Sequence, residues 1–245
     1  MLPDATLPAS LLALLGNLRY VFTAPGFATF AALATGLIAN TGAGTVTGML
    51  TGAGLARTWP HDRAHAFFAR AAWSSDTLGL YLSRLIVRTL LPAGAALTVA
   101  VDDTLPGPGT TDLHSTPATL VSRYAWRWST EVTFAEARQE LGAGQARNRI
   151  QLAVERTTPF ALYCHTIVVI WYTLHGHHPA DAAERRERQP WYTSKAEPAF
   201  ADMAAELRRT TIAARFTANA PLKPTDAEIR AVQQAWAQAG LDHAA

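Results

Sequence analysis

A long stretch without charge is the strongest constraint on how this chain folds. No charged side chain lies between Arg19 and Arg57, and the stretch contains seven glycines. Its longest apolar run, residues 27–38, is shorter than the roughly 20 residues that a membrane-spanning helix needs. A second apolar run, residues 160–174, is also short and includes a histidine. Both runs therefore predict buried core helices, and we expect no membrane partner.

The composition predicts a folded cytoplasmic protein. Of the 245 residues, 49% are hydrophobic and 16% are charged, which argues against intrinsic disorder. The one cysteine, Cys164, excludes an intramolecular disulfide and suits a reducing compartment, and its position in an apolar run predicts a core residue. The N-terminal apolar run has no basic residue ahead of it, unlike a secretory signal. A net charge of +2 permits a polyanionic partner without requiring one.

Hydrophobic periodicity predicts that the N-terminal region is a series of short helices. Apolar residues recur every three or four positions in segments separated by proline and glycine. The predicted helices cover residues 10–20, 27–38, 45–55, 62–73 and 75–91. The last is the best defined, because Ser74 or Ser75 caps it, Asp76 lies in its first turn and Pro92 follows it.

The periodicity changes once, in the middle of the chain. The β-branched run at 97–102 predicts a buried strand that ends in two acids. Beyond it, Pro117 opens a helix to about Leu141, and further helices are predicted at 148–174, with a kink at Pro159, and near 198–216 and 225–240. The expected fold class is therefore mainly α, with one or two strands in the middle.

One face of the helix opened by Pro117 carries a polar stripe. Tyr124, Arg127, Glu131 and Arg138 fall within a sector of roughly 60° on a helical wheel. On pattern alone, Arg127 and Glu131 form an i, i+4 ion pair on a solvated face. The functional interpretation needs a second carboxylate, and Asp102 at the end of the predicted strand supplies one.

A strand end and a helix packed together would bring Asp102 and Glu131 to one divalent cation. Oxygen-only ligation suits Mg²⁺ or Mn²⁺, and such ions activate water or a 3′-hydroxyl in phosphoryl transfer. Asp103 is adjacent, but strand alternation points the two aspartates to opposite faces, so only one is expected to be a ligand. We take Asp102 as that ligand.

The spacing Tyr124-x2-Arg127-x3-Glu131-x6-Arg138 resembles the Tyr-Arg-Glu-Lys signature of bacterial insertion-sequence transposases of the DDE superfamily. Arginine takes the place of the final lysine. Other stretches resemble the same group, and with them the likeness spans nearly all of the chain. They are TVTGML and AFFARAAWSSD in the N-terminal region, VAVDDTL (99–105), GQARNR (144–149), LHGHHP (174–179) and PWYTSK (190–195).

This resemblance implies a ribonuclease H-like catalytic core that binds DNA at the terminal repeats of an insertion sequence. In that family Asp102 and Glu131 would be the outer members of a three-carboxylate site for Mg²⁺ or Mn²⁺. Arg127 would contact phosphate and Tyr124 would help to position the DNA strand. The expected organisation is a helical N-terminal region (1–95), the core (96–176) and a C-terminal helical region (177–245).

The chain departs from the family where the middle aspartate is expected. Only residues 104–115 lie between Asp103 and the helical segment, whereas a packed sheet needs several strands of about five or six residues. Asp112 is the only acid in that interval and resembles the segment just before the signature helix. We therefore expect an internally deleted transposase whose truncated core retains one or two strands, and whose DNA cleavage is absent or severely reduced.

Two other functional classes compete with the enzyme class. The first is a binding module that holds DNA, or an intact transposase copy, without catalysis. Its candidate phosphate contacts are basic residues in and after the signature helix: Arg123, Arg127, Arg138, Arg147, Arg149 and Arg156. Because acids are interspersed among these arginines, a solvated face that binds no nucleic acid is the alternative interpretation. The second is a helical membrane or scaffold protein.

Overall fold

The computed structural model describes residues 5–95, 116–178, 183, 186–187, 191, 196–219 and 224–240, with the backbone alone for 117–127 and 219. The described residues are mainly helical, which confirms the coarse fold class. The helices are α1 (Ala9–Gly16), α2 (Ala24–Ala39), α3 (Val46–Gly52), α4 (His61–Ala69), α5 (Ser75–Leu90), α6 (Pro117–Leu141), α7 (Gln151–Trp171), α8 (Phe200–Asn219) and α9 (Asp226–Ala239). The predicted strand at 97–102 lies outside the described residues.

The local signals that predicted these helices operate as expected. The Ser74 side chain accepts a hydrogen bond from the Thr77 amide, and Asp76 lies in the first turn of α5. The helix α6 begins at Pro117 and ends at Leu141, as predicted. The helix α7 continues through Pro159, and a π-helical turn, Tyr172–Gly176, follows it.

The charge-free stretch forms α2 and α3, which pack closely through glycine. A methyl group on Gly36 would overlap the carbonyl oxygen of Met49, and one on Gly52 would overlap the carbonyl oxygen of Gly36. Glycine therefore allows the two backbones to approach closely here. In the parts of the chain that the structure describes, no helix has both the length and the apolarity to cross a membrane.

The core is built around α7 and a cluster of aromatic rings. Phe160 of α7 packs edge-on against Phe30 and Phe68, with ring centroids 6.0 and 5.1 Å away. Phe67 stacks on Trp73 at 5.0 Å. This one cluster includes residues from α1 through α8, so all three predicted regions contribute to it. The boundaries predicted between the three regions stay predictions.

Arg156 of α7 binds the end of α4 and the loop that follows it, and so connects both to the core. It is 7% exposed and donates hydrogen bonds to the carbonyl oxygens of Phe68, Ala71 and Trp73. Its guanidinium also lies 4.5 Å from the centroid of the Trp73 ring. Desolvation lowers the pKa of Arg156. The prediction that Arg156 holds phosphate is therefore wrong, because the side chain is buried and backbone carbonyls bind both of its terminal nitrogens.

Cys164 occupies the position predicted for it. Its side chain is fully buried in α7 as part of the core. Burial raises the pKa of the Cys164 thiol far above its usual range, because the thiolate cannot be solvated there. The thiol is therefore a small apolar core group.

Candidate functional site

One continuous helix carries the signature positions. Tyr124, Arg127, Glu131 and Arg138 all belong to α6. Because α6 is unbroken, helical geometry places the four positions along one side of it. The side chains of Tyr124 and Arg127 lie outside the described residues, so their contacts stay predictions.

The two signature side chains that the structure describes are exposed. Glu131 and Arg138 both belong to the solvent side of α6, and the turns after α6 expose Arg147 and Arg149 as well. A carboxylate and three guanidinium groups are thus available to solvent along α6 and the segment after it. This arrangement gives the DNA-contact prediction a surface on which it can be tested.

The opposite side of α6 packs on the protein. Ala137 and Leu141 are 0% and 2% exposed, and α6 contacts both α7 and α8. The other two acids of α6, Glu136 and Glu140, point toward this packed side and bind side chains there. Glu131 lies about 140° and 180° around the helix from them. Of the three acids of α6, Glu136 and Glu140 therefore face the protein, whereas Glu131 faces solvent.

Glu136 binds a buried histidine. The Oε2 atom of Glu136 lies 3.1 Å from Nε2 of His165 on α7. The imidazole of His165 is stacked on the ring of Phe200, with centroids 3.9 Å apart and planes 16° from parallel. This contact joins α6, α7 and the start of α8, and it holds the C-terminal part of α6 in place.

Glu140 binds a buried arginine. Arg208 of α8 is 2% exposed and donates to the carbonyl oxygens of Ile38 at 2.8 Å and Glu140 at 3.0 Å. Its Nη1 atom lies 3.4 Å from Oε2 of Glu140. The guanidinium thus joins the end of α2 to the last turn of α6.

A close backbone contact fixes the point where α6 ends. Gly142 has a φ of +64°, a conformation that glycine adopts without steric cost. A methyl group on Gly44 would overlap the carbonyl oxygens of Leu141 and Gly142, and the Gly44 amide donates to Oε1 of Gln145 at 2.8 Å. The exposed side of α6 is therefore presented from a backbone anchored at its C-terminal end.

The predicted metal site is only half described. Glu131 is an exposed carboxylate on α6, whereas Asp102, and Asp103 beside it, lie outside the described residues. Within the described residues, no group of three or more histidine, cysteine or acidic side chains is arranged to hold a metal ion. The assignment of Mg²⁺ or Mn²⁺ to Asp102 and Glu131 stays a prediction.

The inward contacts of α6 were not predicted, although the sequence contains a signal for them. Glu136 and Glu140 are like charges four residues apart, a spacing at which they repel on an isolated helix. They flank Ala137 and Leu141, which are buried. Two acids beside an apolar face indicate cationic or hydrogen-bonding partners on neighbouring helices, here Arg208 and His165. The sequence did not identify those partners, because they lie 68 and 29 residues away.

No protein family, no curated protein and no solved structure matches this chain.

Proposed function

We propose that this protein is a DDE-type insertion-sequence transposase that has lost DNA cleavage through an internal deletion and retains DNA binding at insertion-sequence ends. The observation that carries the proposal is the signature Tyr124-x2-Arg127-x3-Glu131-x6-Arg138 on the single helix α6. In this proposal the helix belongs to a truncated ribonuclease H-like core, and the protein acts in the cytoplasm.

The division of acids on α6 supports a role for Glu131 outside packing. Glu136 and Glu140 bind His165 and Arg208, whereas Glu131 faces solvent on the same side as Arg138. A metal-ligating carboxylate must be accessible to the ion and to the DNA phosphate. Glu131 meets that requirement.

The start of α6 supports the proposed loss of cleavage. Because α6 begins at Pro117, only residues 104–116 separate Asp103 from the helix. A third carboxylate from a separate strand of the sheet has little room in that interval. Two carboxylates bind Mg²⁺ weakly, since oxygen-ligated Mg²⁺ sites depend on the number and geometry of their ligands.

Interference with an intact transposase copy is a second function, favoured by the exposure of Arg138, Arg147 and Arg149. Guanidinium groups that release counterions from DNA give an affinity that falls as salt rises. A protein that occupies the ends of the element in this way would compete with an intact transposase copy. Direct binding to that copy is the alternative route to the same interference.

The test is an assay of binding and nicking on the same DNA. Purified full-length protein is incubated with labelled duplexes taken from the DNA that flanks the gene, with Mg²⁺ or Mn²⁺. We expect retarded complexes that weaken with salt, and no nicks. The matched variants are Glu131→Ala and Glu155→Ala, which each remove one exposed acid.

Two outcomes would count against the proposal. Nicking that is lost in Glu131→Ala but kept in Glu155→Ala would show that cleavage survives, and the deletion hypothesis would be wrong. Absence of DNA binding, together with no effect on transposition by an intact copy, would rule out both the transposase assignment and the binding module.

A further inference from the structure

The surface between α1 and α5 contains a groove with cationic and aromatic side chains. We call it the α1–α5 groove; it has a volume of about 440 Å³. This volume lies within the range typical of ligand sites, roughly 300–1,000 Å³. Its polar lining comes from Asn17, Tyr20, Tyr81, Arg84 and Arg88.

Two arginines on one side of α5 form the cationic wall of the groove. Arg84 and Arg88 are four residues apart, so they lie one above the other on the helix, and both are exposed. Like charges at this spacing repel each other. Among the described residues, neither guanidinium forms a salt bridge with a carboxylate. An anion in the groove would relieve the repulsion between them.

Arg88 is exposed, but a hydrogen bond holds its side chain in place. Its Nη2 atom donates to Oδ1 of Asn17 at 2.8 Å. Asn17 is itself oriented, because its Nδ2 atom donates to the carbonyl oxygens of Ala13 and Leu14 at the end of α1. One hydrogen bond therefore fixes the guanidinium, and its other N–H groups remain to bind a phosphate oxygen.

The aromatic groups stand beside these cations. Tyr20, in the 3₁₀ turn Arg19–Val21, is 85% exposed, the largest exposure among the large hydrophobic side chains described. Tyr81 lies on α5, with the guanidinium of Arg84 5.8 Å from its ring centroid. An exposed ring next to arginines is the combination that binds single nucleic-acid strands, since the ring stacks on a base and the arginines bind phosphates.

The charge of the surrounding region favours a polyanion. Residues 5–95 contain six arginines and two aspartates, and they contain no lysine or glutamate. The protein as a whole has a net charge of only +2. Positive charge is thus concentrated in the region that contains the groove, which raises the local concentration of anionic partners.

We infer that the α1–α5 groove binds one strand of nucleic acid, with its phosphates on Arg84 and Arg88 and a base stacked on Tyr20. This inference rests on the proposed function in that both require nucleic acid as the partner. It depends on residues that have no part in the transposase signature, so the two can fail separately.

The test measures binding of full-length protein to a short fluorescein-labelled single-stranded DNA of mixed sequence by fluorescence anisotropy. The double variant Arg84→Gln, Arg88→Gln is expected to weaken binding about tenfold or more. It is also expected to make the dependence of log K on log salt shallower by about 1.4, because each lost phosphate contact on a single strand contributes about 0.7. The matched control is Arg57→Gln, Arg70→Gln, which removes two exposed arginines outside the groove and should change affinity less than about twofold.

A second pair of variants tests the stacked base. Tyr20→Ala is expected to weaken binding about fivefold or more, whereas Tyr20→Phe keeps the ring and should bind as the wild type does. Circular dichroism of each variant checks that the helices are intact. Because these side chains are exposed, all variants are expected to fold.

Three results would overturn the inference. The first is an arginine variant of the groove that binds the strand as well as its control does, and the second is a Tyr20→Ala variant that binds as the wild type does. The third is displacement of the DNA by inorganic phosphate at matched phosphate concentration. If groove variants bind the single strand as the wild type does, while the protein still binds the flanking duplexes of the first assay, the groove inference fails and the proposed function stands. If the protein binds no DNA of either kind, both fail.

Discussion

Arg208 and Glu140 form a buried ion pair, with Nη1 and Oε2 3.4 Å apart and both residues less than 10% exposed. The Arg208 guanidinium contacts the end of α2 through the Ile38 carbonyl, and it contacts the last turn of α6 through the Glu140 carbonyl. It thereby links the glycine-packed N-terminal helices to α6, the helix that carries Glu131 and Arg138.

Arg208→Met is expected to lower the free energy of unfolding by about 3–5 kcal/mol, because it leaves the Glu140 carboxylate and two carbonyls without their donor. Urea denaturation followed by circular dichroism measures the change. Arg230→Met, on an exposed side of α9, is the control and should change stability by less than about 0.5 kcal/mol. Equal effects of the two variants would show that the buried pair has no special role.

Gly36→Ala is expected to destabilise the protein by about 1–3 kcal/mol, since the added methyl group would overlap the Met49 carbonyl and force α2 and α3 apart. Gly16→Ala is the matched control. No atom lies within 4 Å of the position its methyl group would take, so it should be neutral or slightly stabilising. Thermal unfolding of both variants measures the difference, and a Gly36→Ala variant as stable as the control would contradict the close packing of these helices.

His165→Ala is expected to cost about 1–3 kcal/mol, because it removes both the stacked contact with Phe200 and the hydrogen bond to Glu136. His175→Ala, at an exposed position in the π-helical turn, should leave stability unchanged. Guanidinium denaturation at pH 7 compares the two. If both variants unfold at the same denaturant concentration, the histidine contact does not anchor α6.

Glu228 is expected to make the stability of the α9 N-terminus depend on pH. The pKa of Glu228 is lowered from 4.5, first by its hydrogen bond with the Thr225 backbone and then by one with the Thr225 hydroxyl. A folded pKa below the unfolded one means that the stabilisation is present above the unfolded pKa and is lost as pH falls through the folded one. We therefore expect α9 to fray below about pH 4.5.

Amide exchange in the first turn of α9, followed by NMR, measures this effect. The difference in protection between wild type and Glu228→Gln should be largest at neutral pH and should vanish in acid, because the variant mimics the protonated carboxyl. Asp226→Asn removes a carboxylate from the same turn without touching the capping box. A Glu228→Gln effect that stays constant down to acid pH would mean that ionisation of Glu228 does not matter.

Local signals in the sequence predicted most helices, because each boundary depends on residues that are close together in the chain. The helices predicted at 10–20 and 62–73 end earlier, at Gly16 and Ala69. Pro117 and Gly142 bound α6, and Ser74 caps α5, so proline, glycine and capping rules were sufficient. The same approach could not find the partners of Arg156 or Arg208. Those partners are carbonyls and a carboxylate 68 to 170 residues away, and only tertiary packing brings them together.

The candidate site was predictable to a smaller extent. Helical periodicity placed Glu131 and Arg138 on one side of α6, and both are exposed there. The juxtaposition of Asp102 with Glu131 depends on how a strand meets a helix, which periodicity alone does not determine. The α1–α5 groove was not predicted either, because Tyr20 and Arg84 come from separate helical segments whose contact no local pattern encodes.

The position of Arg156 also has a consequence for synthesis of the chain. The carbonyl groups at the end of α4 and in the loop after it leave the ribosome 83 or more residues before the guanidinium that binds them. Until α7 emerges, those carbonyls must be solvated by water and the aromatic rings around them lack Phe160. A nascent chain stalled before α7 is therefore expected to recruit chaperones, and a truncated product of that length to be degraded.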